Sequence, residues 1–77
     1  MKLEQVKYNL NRRVLCTIPK MYLENAPFIL RACILRETDK GEFYYQAEIQ
    51  DMKAPHCVLI VKLEDIREDK CDGMDKR

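Results

Sequence analysis

Four cysteines, one histidine and a scatter of carboxylates are the side chains with which this 77-residue chain could do chemistry. Cys16, Cys33, Cys57 and Cys71 form no Cys-x-x-Cys pair, so the paired knuckles of a structural zinc site are missing. His56 adjoins Cys57, but neighbours on an extended strand point to opposite faces and do not share a metal easily. Cys16, Cys33 and Cys57 each fall inside an apolar strand pattern and read as small core hydrophobes, while Cys71 reads as an exposed thiol in a polar tail. A Cys-His nucleophile would need one of those buried thiols to reach His56 as an exposed thiolate. The chain has no serine, which excludes a Ser-His-Asp triad, and its two glycines cannot form a phosphate-cradling loop.

Carboxylates offer little more. Asp51-x-Lys53, with Glu48 nearby, superficially matches the acidic and lysine core of a metal-dependent nuclease. Such a site needs further carboxylates on a larger scaffold, whereas Asp51 opens a short loop that ends at Pro55. Glu48 with Asp51, or Glu64 with Asp65, would serve as acid and base only where the environment pushes their pKa values apart. Solvated surface positions do not. No catalytic residue, metal or cofactor is expected, and the chain reads as non-enzymatic.

The elements that hold these residues must come from one small domain. With 47% hydrophobic and 35% charged residues, two Gly and three Pro, the chain is neither low-complexity nor collagen-like. A domain of this size buries about 60% of its unfolded surface, which leaves little room for an enclosed pocket. The longest apolar run, Cys57 to Val61, is far short of the ~20 residues of a membrane span. The segment Met1-Lys2-Leu3-Glu4-Gln5 lacks the apolar stretch of a signal peptide, so a cytoplasmic location is expected. Net charge is +1, yet residues 1–36 hold seven basic and two acidic side chains and residues 37–77 seven and eleven. If the halves stay apart in space, the domain has a basic and an acidic side.

Val6, Tyr8 and Leu10 alternate with polar residues before Asn11-Arg12-Arg13, and Val14 to Ile18 resumes a strand composition, which predicts an N-terminal hairpin. Pro19, Tyr22, Leu23 and Ala26 then follow helical spacing, with Thr17 as a cap and Asn25 before Pro27 as a stop. The strongest signal is a hairpin of Phe28–Arg36 and Glu42–Gln50 around Thr38-Asp39-Lys40-Gly41. Its hydrophobic pattern favours a register with Arg31 opposite Glu48 and Ile34 on the face of Phe43, Tyr45, Ala47 and Ile49. A type I turn with a glycine bulge at Gly41 favours the register one residue away, with Ile34 opposite Gln46. The hydrophobic pattern is the stronger guide, because a one-residue slip inverts every side chain.

Cys57–Leu63 has the composition of a central strand, and Leu63-Glu64-Asp65-Ile66 that of a closing turn that tucks Ile66 inward. The expected fold is α+β: a five-stranded antiparallel sheet, strongly curled or closed as a small barrel, with one short helix between strands two and three. One domain spans residues 1–67, followed by a disordered charged tail over 68–77. Phe28, Leu30, Ile34, Phe43, Tyr45, Ile49, Val58, Ile60, Tyr22 and Leu23 form the expected core.

Two-sided apolar character in residues 28–35 and 57–63 exceeds what so short a chain can cover, and uncovered apolar patches mark interfaces. A protein partner, through a sheet edge or as a homodimer, is therefore the first reading. Its candidate contacts are Ile29, Arg31, Leu35, Glu37, Asp39, Glu42, Tyr44, Glu48 and Asp51. The alternative is a nucleic-acid binder that uses Lys7, Arg12, Arg13 and Lys20 with Tyr44 as a stacking platform. The strings Phe43-Tyr44-Tyr45-Gln46-Ala47-Glu48-Ile49-Gln50-Asp51 and Val58-Leu59-Ile60-Val61-Lys62-Leu63-Glu64-Asp65-Ile66 resemble the small proteins of bacterial plasmids, phages and conjugative elements, anti-CRISPR inhibitors among them. That resemblance implies inhibition of a host nuclease or defence complex by occlusion, with the acids around the central hairpin entering a basic nucleic-acid channel.

Overall fold

The computed structural model describes residues 1–69. A short helix α1 (Leu3–Asn9) leads into β1 (Arg13–Ile18), β2 (Leu23–Glu37), β3 (Phe43–Asp51), β4 (Val58–Lys62) and β5 (Ile66–Glu68). The strands form one antiparallel sheet in the order β4-β3-β2-β1-β5. This sheet is open, with β4 and β5 as its edges, which corrects the expected curled or barrel-like form. Closure would need a β4–β5 ladder; β5, only three residues long, pairs Ile66 with Cys16, Arg67 with Leu15 and Glu68 with Val14 of β1, and among the described residues no ladder joins its other edge to β4.

Further expectations change. The first predicted strand is helix α1, because Leu3, Val6 and Leu10 also keep helical spacing and the segment is rich in helix formers. The Lys2 N–H donates to Gln5 Oε1 at 2.8 Å, and the Gln5 N–H to the Lys2 carbonyl at 3.0 Å, satisfying donors at the helix start. At its end the Asn9 side chain donates to the Gln5 carbonyl and to Glu68 Oε2, fixing the helix to β5. So short a helix persists only because Val6 docks in the core.

The predicted helix between strands two and three is a single 3₁₀ turn, Pro19–Met21, ended by Tyr22 at φ +58. Thr17 accepts a hydrogen bond from the Asn25 N–H across this turn rather than capping a helix, and Ala26 pairs with Cys16 in the sheet. Tyr22, placed in the expected core, is 96% exposed. A second 3₁₀ turn, Leu63–Asp65, joins β4 to β5, and the Met1 ammonium donates to the carbonyls of Leu63 and Ile66.

Between β2 and β3 both anticipated registers occur, one in each half. Phe28, Leu30 and Ile49 obey the hydrophobic pattern, with Phe28 opposite Asp51 and Leu30 opposite Ile49. From Ala32 onward the turn wins: Ala32 faces Glu48, Cys33 faces Ala47, Ile34 faces Gln46 and Leu35 faces Tyr45. Arg31 is the extra residue between the two segments, a β-bulge. The turn prevails near Gly41 because that residue sits at φ +86, a conformation glycine adopts without penalty. Arg31 therefore does not face Glu48, and Ile34 lies on the face opposite the core.

The buried cluster comprises Val6, Val14, Cys16, Phe28, Leu30, Ala47, Ile49 and Ile66. Of the expected core only Phe28, Leu30 and Ile49 belong to it. Leu23 packs partly buried against it. Leu59 and Val61 turn toward the core, through their pairing with Ile49 and Ala47, so Val58 and Ile60 face away and stand half exposed. The strand that reads as central is an edge.

Candidate functional site

The ladders on either side of β2 and β3 stop short of the hairpin's end. Pairing with β1 ends at Ile29, and β4 reaches only as far as Gln46. Leu35–Glu37 and Phe43–Tyr45 thus form a two-stranded arm with no third strand beside it among the described residues. Residues on one face of an antiparallel pair share its register, so Leu35, Phe43 and Tyr45 continue the face that holds the buried Ala47 and Ile49. With no element among the described residues to cover them, they are 56%, 66% and 38% exposed. Tyr44 stands on the opposite face beside Arg36, also exposed, and the Arg36 guanidinium donates to Gln46 Oε1.

An isolated two-stranded ribbon is marginal in water, so its turn must be well made. Thr38 supplies that order. Its carbonyl accepts from the Gly41 N–H at 2.9 Å and its N–H donates to the Glu42 carbonyl at 2.7 Å. Its hydroxyl accepts from the N–H groups of Lys40 and Glu42. The tip carries Glu37, Asp39 and Glu42, all exposed, against Lys40. A shallow hollow at the arm's base is lined by Tyr44, Tyr45, Gln46, Lys62, Leu63 and Glu64.

Leu35, Glu37, Asp39, Glu42 and Tyr44 therefore meet on one projection, on its two faces and its tip. The other candidate contacts lie elsewhere. Ile29 is part-buried beside Arg13 and Gln50, and Glu48 lies between Ala32 and Ile60. Arg31 donates from Nη1 to Asn11 Oδ1 at 2.6 Å. Asp51 Oδ1 accepts the N–H groups of Lys53 and Ala54, at 2.7 and 3.1 Å, so this carboxylate folds its own loop. Sequence reasoning put Phe43 and Tyr45 inside. The usable signal is length, since the seven-residue apolar segment Cys57–Leu63 cannot flank all nine residues of Phe43–Asp51.

The nucleic-acid residues do not converge. Lys7 lies on α1 with its ammonium 5.3 Å from the Tyr8 ring centre, and Arg12 follows the helix. Arg13 forms an ion pair with Asp69. Lys20 sits in the turn before β2 and Tyr44 near its far end, roughly 40 Å of strand away at about 3.3 Å per residue. The charge halves interleave as well. The basic half supplies α1, β1 and β2, and the acidic half flanks them with β3 and β4 on one side and β5 on the other.

Among the described residues no group of three or more His, Cys, Asp or Glu is placed to hold a metal ion. Burial, aided by the negative charge of Asp65, pushes the Cys16 thiol up to about 11, and burial raises Cys33 also. Both are thereby held as neutral thiols. His56 and Cys57 are exposed in and after the loop that precedes β4. No helix among the described residues is long and apolar enough to cross a membrane. Residues 70–77 of the expected tail, with Cys71, lie outside the described residues, while Glu68 ends β5 and Asp69 meets Arg13. Comparison with protein-family models, with curated proteins and with solved structures finds no match.

Proposed function

We propose that the chain is a non-enzymatic protein-binding module that docks through the distal end of its β2–β3 hairpin. The observation that carries this reading is the bare apolar stripe of Leu35, Phe43 and Tyr45 on an arm that no other strand among the described residues flanks. Exposed apolar side chains at such positions desolvate readily against a partner, and aromatic ones carry a large share of the energy of protein interfaces. Glu37, Asp39 and Glu42 around the stripe favour a partner groove rimmed with Lys and Arg, steering the encounter and rejecting acidic surfaces. A groove of that charge is what a protein uses to hold nucleic acid. Together with the resemblance to mobile-element proteins, this makes occlusion of a nuclease or defence complex the specific form of the proposal. A cytoplasmic setting belongs to the same proposal, supported by the free thiols of Cys16, Cys33 and Cys57, which suit a reducing compartment.

The test is a panel of nucleic-acid-guided nucleases, with binding and cleavage measured for the wild type and for Leu35→Ser/Phe43→Ser. Wild type binds and inhibits at least one, and the double variant does neither while remaining folded. Equal inhibition by both proteins refutes the arm. Salt-sensitive binding to DNA or RNA alone, with every nuclease unaffected, puts the nucleic-acid alternative in its place.

A further inference from the structure

We propose that the bulge at Arg31 is a movable register defect, and that the β2–β3 hairpin exchanges between the observed pairing and one with the extra residue at Leu35. Its bearing on function rests on the arm being a docking element. The equilibrium itself does not.

A bulge somewhere in β2 is unavoidable. Gly41 at φ +86 and the Thr38 hydrogen bonds fix the pairing at the turn, while buried Phe28 and Leu30 fix it one residue out of step at the core. Between those anchors the side chains do not choose. Cys33 and Leu35 occupy the core-side face in the observed register, and Ala32 and Ile34 offer an equally apolar pair in the other. Moving the extra residue to Leu35 sets Arg31 opposite Glu48, Ala32 opposite Ala47, Cys33 opposite Gln46 and Ile34 opposite Tyr45. Arg36 and Glu37 keep Tyr44 and Phe43, and β3 and β4 stay where they are.

The balance between the two pairings turns on Arg31. In the observed one its guanidinium is held by Asn11 Oδ1 at 2.6 Å. Asn11 is itself fixed, in a left-handed conformation at φ +64, by its N–H to the Leu30 carbonyl, and the Leu30 N–H returns to the Arg12 carbonyl. The shifted pairing gives up this latch and gains a cross-strand Arg31–Glu48 pair of opposite charge. It also remakes the docking stripe: Leu35 leaves the ladder and Ile34 takes its place beside Tyr45. A partner that grips Leu35 holds the observed register.

The test is nuclear magnetic resonance on the free protein. Asn11→Gly keeps the left-handed backbone and removes the acceptor, so the minor population seen by relaxation dispersion at residues 31–35 rises roughly tenfold. Cross-strand contacts between Ile34 and Tyr45 accompany it. Glu48→Gln leaves the Asn11 contact intact and lowers the minor population. Deletion of Arg31 removes the mismatch and the exchange, leaving only Leu35–Tyr45 contacts. Flat dispersion in folded Asn11→Gly, exchange unchanged by Glu48→Gln, or exchange that survives the deletion overturns the proposal. No partner enters these measurements, so their failure leaves the docking reading standing.

Discussion

Leu30 and Phe43 have similar hydrophobic character and lie on the same side of one hairpin, yet their replacement by alanine should cost very different amounts. Leu30 is completely buried, bonded through its backbone to Asn11 and Arg12 and surrounded by the core cluster. Truncating such a leucine costs about 3–5 kcal/mol, the lost transfer energy plus that of a cavity the neighbours cannot fill. For a domain of this size each kcal/mol moves the melting temperature by about 4–8 °C. Leu30→Ala should therefore melt at least ~12 °C below wild type, and a stability of ~5 kcal/mol would be nearly exhausted. Phe43 keeps only about a third of its surface from water. A third of the ~3 kcal/mol for a fully buried phenylalanine is about 1 kcal/mol, so Phe43→Ala should lose no more than ~8 °C. Thermal melts followed by circular dichroism compare the two directly. Equal losses would mean that the arm's face is covered in solution, and a Leu30→Ala melt within a few degrees of wild type would remove the core assignment.

Gly41→Ala should loosen the arm by about 1–2 kcal/mol, visible as faster amide exchange at residues 35–45. The cause is φ alone, since an added Cβ would find its nearest neighbour, Glu37 Oε2, 3.8 Å away. The neutral Cys16 thiol is the form the fold accepts, while in the unfolded chain it ionises near its ordinary value of 9.0. Its contribution is complete below pH 9 and disappears as pH rises toward 11, so denaturant titrations should show stability falling across that window more steeply in wild type than in Cys16→Ala. Parallel slopes would contradict the assignment. Asp51→Ala should destabilise by about 1–2 kcal/mol in the same titrations, because two loop N–H groups lose their acceptor, and Asp51→Asn by less.

The central hairpin was legible because Phe43, Tyr45, Ala47 and Ile49 alternate without interruption and Gly41 marks the turn. Even its apparent contradiction was informative, since each of the two conflicting registers holds where its own cause is nearest. The N-terminal helix was not legible. Over eight residues Val6, Tyr8 and Leu10 satisfy a strand period while Leu3, Val6 and Leu10 satisfy a helical one, and only docking of Val6 decides. Tyr22 misled in the same way, its helical spacing overruled by left-handed turns at Tyr22 and Asn25. Composition and alternation mark the acids, Leu35 and Tyr44 of the arm, but the same alternation assigns Phe43 and Tyr45 to the core. Exposure there depends on where the β1 and β4 ladders end, and that is a property of other segments of the chain.

Phe43 and Tyr8 are both 66% exposed, one on the arm and one on helix α1, which makes them a matched pair for photo-crosslinking. A benzophenone side chain at either position, in cells that naturally make the protein, reports what each surface touches. Docking by the arm predicts a discrete protein adduct at Phe43 and none of comparable yield at Tyr8. Equal adducts at the two positions, or adducts at Phe43 with nucleic acid only, would contradict it.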